Sequence, residues 1–194
     1  MRFIWNGISK GLLLAGCALA LAATARAAEP TAFDLIKEGN RHVGEDARDK
    51  VNQIRSEKSI GGLTPTVWYV VFYDPDARFK ATEVKFGSGK KLDVVRPMRL
   101  FERAGSYRGM DRAKLKVDSD EALKIAQKEG LLEKVKLTNT KMTLEKWEEI
   151  PTWKIRFWAE KAREPSRTVD IGEVFINAEG GKVVKRDLKI ERID

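Results

Sequence analysis

The feature that most constrains this chain is a tryptophan-led run that occurs twice. Thr66-Val67-Trp68-Tyr69-Val70-Val71-Phe72-Tyr73 follows Pro65, and Thr152-Trp153-Lys154-Ile155-Arg156-Phe157-Trp158 follows Pro151. Aromatic and β-branched residues at this density favour a pleated strand, and a proline ahead of each run suits a strand entrance, because it lacks an N–H for the ladder. Laying Trp68 on Trp153 brings Glu83-Val84-Lys85-Phe86-Gly87 against Glu173-Val174-Phe175-Ile176-Asn177. Each copy then reads strand, loop, strand, glycine-bearing turn, strand, with a helical segment ahead of it. The expected fold class is α+β: two pseudo-repeated units, each a helix (or helix-loop-helix) packed on an antiparallel β meander.

The first 27 residues read as an export signal. A basic start (Arg2, Lys10) leads into the apolar run from Gly11 to Ala23, and Ala25-Arg26-Ala27 is a small-x-small cleavage signature. The run is short for a bilayer span. The expected mature chain begins at Ala28 and is periplasmic or secreted. Leu14-Ala15-Gly16-Cys17 is also similar to a lipobox, which makes a lipoprotein anchored through Cys17 the alternative. Cys17 is the single cysteine, so ordinary cleavage removes any prospect of a disulfide. About 165 residues then remain, enough for one domain or two half-size units sharing a core. The formal net charge of +8 falls to +5 when Arg2, Lys10 and Arg26 leave. Acids and bases are interspersed along that remainder, a pattern unlike a nucleic-acid interface.

The expected first unit covers 28–98. Thr31 after Pro30 is a candidate N-cap for a helix that includes Phe33 and Ile36. Ala47, Val51 and Ile54 at helical spacing predict a second helix, stopped by Gly61-Gly62. Strands follow over 66–73, 79–86 and 91–95, joined by a turn at Asp74-Pro75-Asp76 and a hairpin at Gly87-Ser88-Gly89. Residues 99–116 read as a linker, and 117–194 as the second unit. There Asp118 with Glu121 three residues on marks a strong helix start, and Gly130 its stop. Lys134 to Leu144 reads as extended, and 169–177 and 182–190 close as a hairpin across Gly180-Gly181.

Asp118-Ser119-Asp120-Glu121-Ala122-Leu123-Lys124-Ile125-Ala126 followed by a meander ending in Val174-Phe175-Ile176-Asn177-Ala178-Glu179-Gly180-Gly181-Lys182-Val183-Val184 resembles the PepSY-like domain family. The resemblance covers 117–191, and 31–98 more loosely. The tandem arrangement is similar to that of the β-lactamase inhibitor protein, in which paired sheets form one binding surface. What the resemblance implies is an exported, non-enzymatic module that binds or restrains a peptidase or another envelope protein. It implies no catalytic residues.

The side chains themselves agree with a binding role. His42 is the only histidine and has no cysteine beside it, so no Ser–His or Cys–His nucleophile pair is expected. Asp74 and Asp76 read as turn formers, without the further ligands of a calcium loop. Glu145, Glu148 and Glu149 cluster in sequence and read as a solvated rim, the alternative being a carboxylate pair of an envelope enzyme. Gly87-Ser88-Gly89-Lys90-Lys91 joins two strands and opens no helix, so it reads as a hairpin turn rather than a phosphate cradle. Neither a metal nor another cofactor is expected. Strand alternation places Trp68, Val70 and Phe72, with Trp153, Ile155 and Phe157, in the core. It leaves Tyr69, Val71, Tyr73, Lys154, Arg156 and Trp158 facing outward, and these residue types anchor interfaces. The expected partner is a protein or peptide of the cell envelope, met on that face.

Overall fold

The computed structural model describes residues 29–96 and 109–194. The export signal, the cleavage site, Cys17 and residues 99–108 of the expected linker lie outside the described residues. Helix α1 (Ala32–Gly39) precedes four strands, β1 (Val51–Ser56), β2 (Val67–Tyr73), β3 (Ala81–Gly87) and β4 (Lys90–Val95). Helix α2 (Ser119–Gln127) precedes four more, β5 (Leu137–Trp147), β6 (Ile150–Glu160), β7 (Thr168–Asn177) and β8 (Val183–Leu188). All eight join one antiparallel sheet in the order β4-β3-β2-β1-β5-β6-β7-β8. Both tryptophan-led runs are therefore strands, and each lies one strand out from the central β1–β5 pair.

The helices cover one face of this sheet. Ala32, Leu35 and Ile36 of α1 and Ala122, Leu123 and Ala126 of α2 enter a single core with Trp68, Val70, Phe72, Val84, Phe86, Trp153, Ile155 and Phe157. Gly39 permits the closest approach of α1, because a Cβ there would lie 2.8 Å from the Phe72 ring. The two indoles meet edge to face, 6.5 Å between centroids at 81°, a geometry that adds about 1 kcal/mol to the area they bury. Each indole N–H is satisfied, Trp68 donating to the Pro65 carbonyl (3.1 Å) and Trp153 to the Val117 carbonyl (2.8 Å). A buried donor without such a partner would cost about 1–3 kcal/mol.

The helix N-termini meet. Asp118 caps α2 through Ser119 N, and its Oδ1 also accepts from Phe33 N of α1 at 3.1 Å. Ser119 Oγ accepts from Ala32 N at 3.0 Å. Two of the orphan donors of α1 are thus satisfied by residues more than eighty positions away.

One sequence expectation is corrected. Residues 51–56 form a strand, β1, rather than a helix. Val51 and Ile54 are both buried on the helix-covered face, three residues apart, because the register of β1 against β2 shifts between Val51 and Gln53. A bulge inserts one extra residue and converts the spacing of two into three. That spacing is indistinguishable from a helical one when only the sequence is read.

Candidate functional site

The face opposite the helices is built by the polar half of each strand's alternation. Register partners define one row that crosses all eight strands: Asp93, Lys85, Tyr69, Arg55, Thr143, Lys154, Phe175 and Lys185. At strand spacing the row is ~34 Å long. Cations and rings interlock along it. The Tyr69 ring has Arg55 Cζ at 4.1 Å and Lys85 Nζ at 5.0 Å. Phe175 has Lys154 Nζ at 5.7 Å and Lys185 Nζ at 5.1 Å, and it packs on Trp147 at 5.4 Å between centroids. Each such cation is attracted to the negative face of the ring it covers.

Carboxylates flank the row. Glu83 meets Arg55 at 2.9 Å, Glu145 meets Lys154 at 2.6 Å, and Glu57 takes both Lys85 (3.3 Å) and the Tyr69 hydroxyl (2.5 Å). The Tyr69 hydrogen bond, ahead of the Lys85 bond, holds the Glu57 carboxyl below the ordinary glutamate value. Glu83 is pushed the other way. Burial raises its pKa, and the attraction of Arg55 and Lys85 does not fully offset that cost. One row further on, Arg156 bridges Glu173 (2.6 Å) and Asp170 (3.3 Å). Lys185 has no carboxylate within ion-pair distance among the described residues.

The six residues singled out by alternation all belong to this face, but they are not one patch. Tyr69 and Lys154 share the row. Arg156 and Trp158 lie beyond it toward one end of the strands, while Val71 and Tyr73 lie toward the other. Tyr73 and Trp158 are thus ~27 Å apart along the strand direction. Val71 is only 1% exposed, between Gln53 and Glu83 of the adjoining strands. Trp158 carries Lys58 over its ring at 4.5 Å.

Sequence reading missed Arg55, Phe175, Lys185 and Trp147. Arg55 was concealed by the helical spacing of Val51 and Ile54. Phe175 was concealed by a bulge in β7, where Gly172 takes φ +100° and a Cβ would collide with the Asp187 carbonyl. The Glu-Val-Phe-Ile run therefore sends Val174 and Ile176 inward and Phe175 outward. A glycine inside a strand pattern is the one signal that points to such a flip.

The other residues weighed in the sequence take the following places. His42 Nε2 lies 3.4 Å from Glu38. Asp74 is buried, which alone would raise its pKa. Bonds from Thr82 Oγ1 (2.5 Å) and the Asp76 amide (3.0 Å) outweigh that, and its carboxyl is held low within the turn. Glu145 stands in mid-strand, whereas Glu148 and Glu149 form the two-residue β5–β6 turn, both left-handed (φ 51° and 63°). Ser88-Gly89 likewise turns β3 into β4, as a hairpin and not a helix start. Among the described residues no three acids, histidines or cysteines are grouped to hold a metal ion, and no helix is long and apolar enough to cross a membrane. Comparison of the chain with protein-family models, curated proteins and solved structures finds no match.

Proposed function

We propose that the protein is an exported, non-enzymatic binding or regulatory module of the cell envelope that docks a protein partner on the outer sheet face. The observation that carries this reading is the row from Asp93 to Lys185, in which the rings of Tyr69 and Phe175 are each flanked by cations of the neighbouring strands. A solvated sheet face gains little stability from such ion pairs, about 0–1 kcal/mol each. The same residue types, held in place by their neighbours, supply anchors at low entropic cost when a partner covers them.

The reading further takes the chain as two copies of one PepSY-like unit, 28–98 and 117–194. Its support is the order helix then four strands in each stretch, with Trp68 and Trp153 both on the second strand. On that basis the partner class is a peptidase or other envelope protein that the module binds or restrains. Photo-crosslinking tests the face directly. A benzophenone amino acid at Tyr69 or Lys154 should trap a discrete protein in native envelopes, and one at Leu131 on the helix side should not. Equal trapping from both faces, or none from Tyr69 and Lys154, overturns the docking reading.

A further inference from the structure

Arg55 of the row and Glu83 beside it form an unusual pair. Glu83 is 7% exposed on the outer face, across from Val71, which is 1% exposed. Its Oε2 lies 2.9 Å from Arg55 Nη2, yet it accepts no aligned hydrogen bond, and Arg55 Nη1 is buried with no acceptor. Opposite charges are thus brought together while one acceptor and one donor stay empty. Such a pair is held by attraction alone, and removing either charge removes the reason for its geometry. Among the described residues Glu83 is the one carboxylate within ion-pair distance of Arg55. The guanidinium also lies over the Tyr69 ring, with Cζ 4.1 Å from its centroid.

We propose that the Arg55–Glu83 pair is a proton-operated latch on the docking face: when Glu83 takes up a proton, Arg55 loses its carboxylate and becomes available, beside Tyr69, to a carboxylate of an acidic protein partner. This rests on the reading of the outer face as the docking surface and adds its regulation and the charge of the partner. Each element packed around Glu83 contributes to the balance. Arg55 on β1 and Lys85 on β3 favour the ionised form, and Asp93 on β4 opposes it. Tyr69 on β2 engages Glu57 rather than Glu83, and Val71 beside it is neutral. Burial is the largest contribution, and it favours the protonated acid. Proton uptake makes the face one charge more positive at the middle of the row, where the partner's carboxylate would arrive.

The test uses the protein alone and then with its partner. Carbon-detected NMR follows the Glu83 carboxyl while the Arg55 Nε–Hε and Tyr69 ring signals are read in the same titration. The expected result is a Glu83 midpoint above the ordinary value of 4.5, with Arg55 and Tyr69 moving at that same midpoint. Glu83→Gln should hold both signals in their acid positions at every pH. The latch is overturned if Glu83 titrates at or below the ordinary value, or if Arg55 and Tyr69 stay still through its titration. Crosslinking from Tyr69, if it occurs, should then be several-fold stronger at acid pH in the wild type and independent of pH in Glu83→Gln. Crosslinking that ignores pH in both removes the latch and spares the docking face. A latch that titrates as described, without any crosslinked protein, removes the docking face instead.

Discussion

Arg55 and Arg156 stand on the same side of the same sheet, Arg55 paired with Glu83 two strands away and Arg156 with Glu173 and Asp170 of the adjoining strand, yet they sit in different media. The Arg55 pair is withdrawn from water, with side chains 29% and 9% exposed for Arg55 and Glu83. Arg156 is 45% exposed between two acids. A charge in water is stabilised by solvent whether or not its partner is present, whereas a buried one depends on its partner. The two arginines teach that residue type and strand position do not set the worth of an ion pair; desolvation does.

The sharpest way to break this comparison is to delete each guanidinium. Arg55→Ala leaves the Glu83 carboxylate buried and unpaired, and should cost about 3 kcal/mol in urea unfolding, toward the lower end for a broken buried pair. The same burial gives a pH signature. Because the folded-state pKa of Glu83 is raised, the native state holds that proton more tightly than the unfolded chain. Its contribution to stability therefore increases as pH falls through the folded pKa and is complete below the unfolded value of 4.5. Glu83→Gln should remove that segment of the stability–pH curve, and an unchanged curve would show that Glu83 is not buried as described.

The two helix starts allow a second contrast. Thr31 caps only its own helix, through Asp34 N, whereas Asp118 accepts from both Ser119 N and Phe33 N. Asp118→Ala should therefore cost about 1.5–2 kcal/mol by thermal unfolding, and Thr31→Ala about 1. Equal losses would mean that the bond to Phe33 contributes nothing.

The hairpins differ as well. Ser88-Gly89 and Glu148-Glu149 each form a two-residue turn with positive φ at both positions. Glycine adopts that conformation freely, and glutamate adopts it at a cost. Glu149→Gly should stabilise the protein by about 0.5–1 kcal/mol, read as a higher midpoint in calorimetry. The smallest effect belongs to the exposed arginine. Arg156→Ala should cost under about 1 kcal/mol, with the loss shrinking further in high salt, because its pairs are screened. A loss equal to that of Arg55→Ala would erase the distinction between the two arginines.

Much of the fold was legible in the chain. The density of β-branched and aromatic residues in 67–73 and 153–158 specified strands, since few other conformations accommodate them. Asp118 with Glu121 specified a helix start, and Gly-bearing pairs specified two hairpins, because those signals act within a few residues. Periodicity alone failed at 51–56, where a bulge changed the spacing by one residue.

The sequence by itself determined the two tryptophan-led strands, the two main helix starts and which side of those strands faces the core, all consequences of local sterics and two- or four-residue periodicity, but not the strand at 51–56. Only the tertiary structure decided that Arg55 stands between Tyr69 and Glu83, that Phe175 faces outward with Trp147, and that the six expected site residues spread across ~27 Å. Those outcomes depend on strand order and register, which are settled by pairings between residues far apart in the chain.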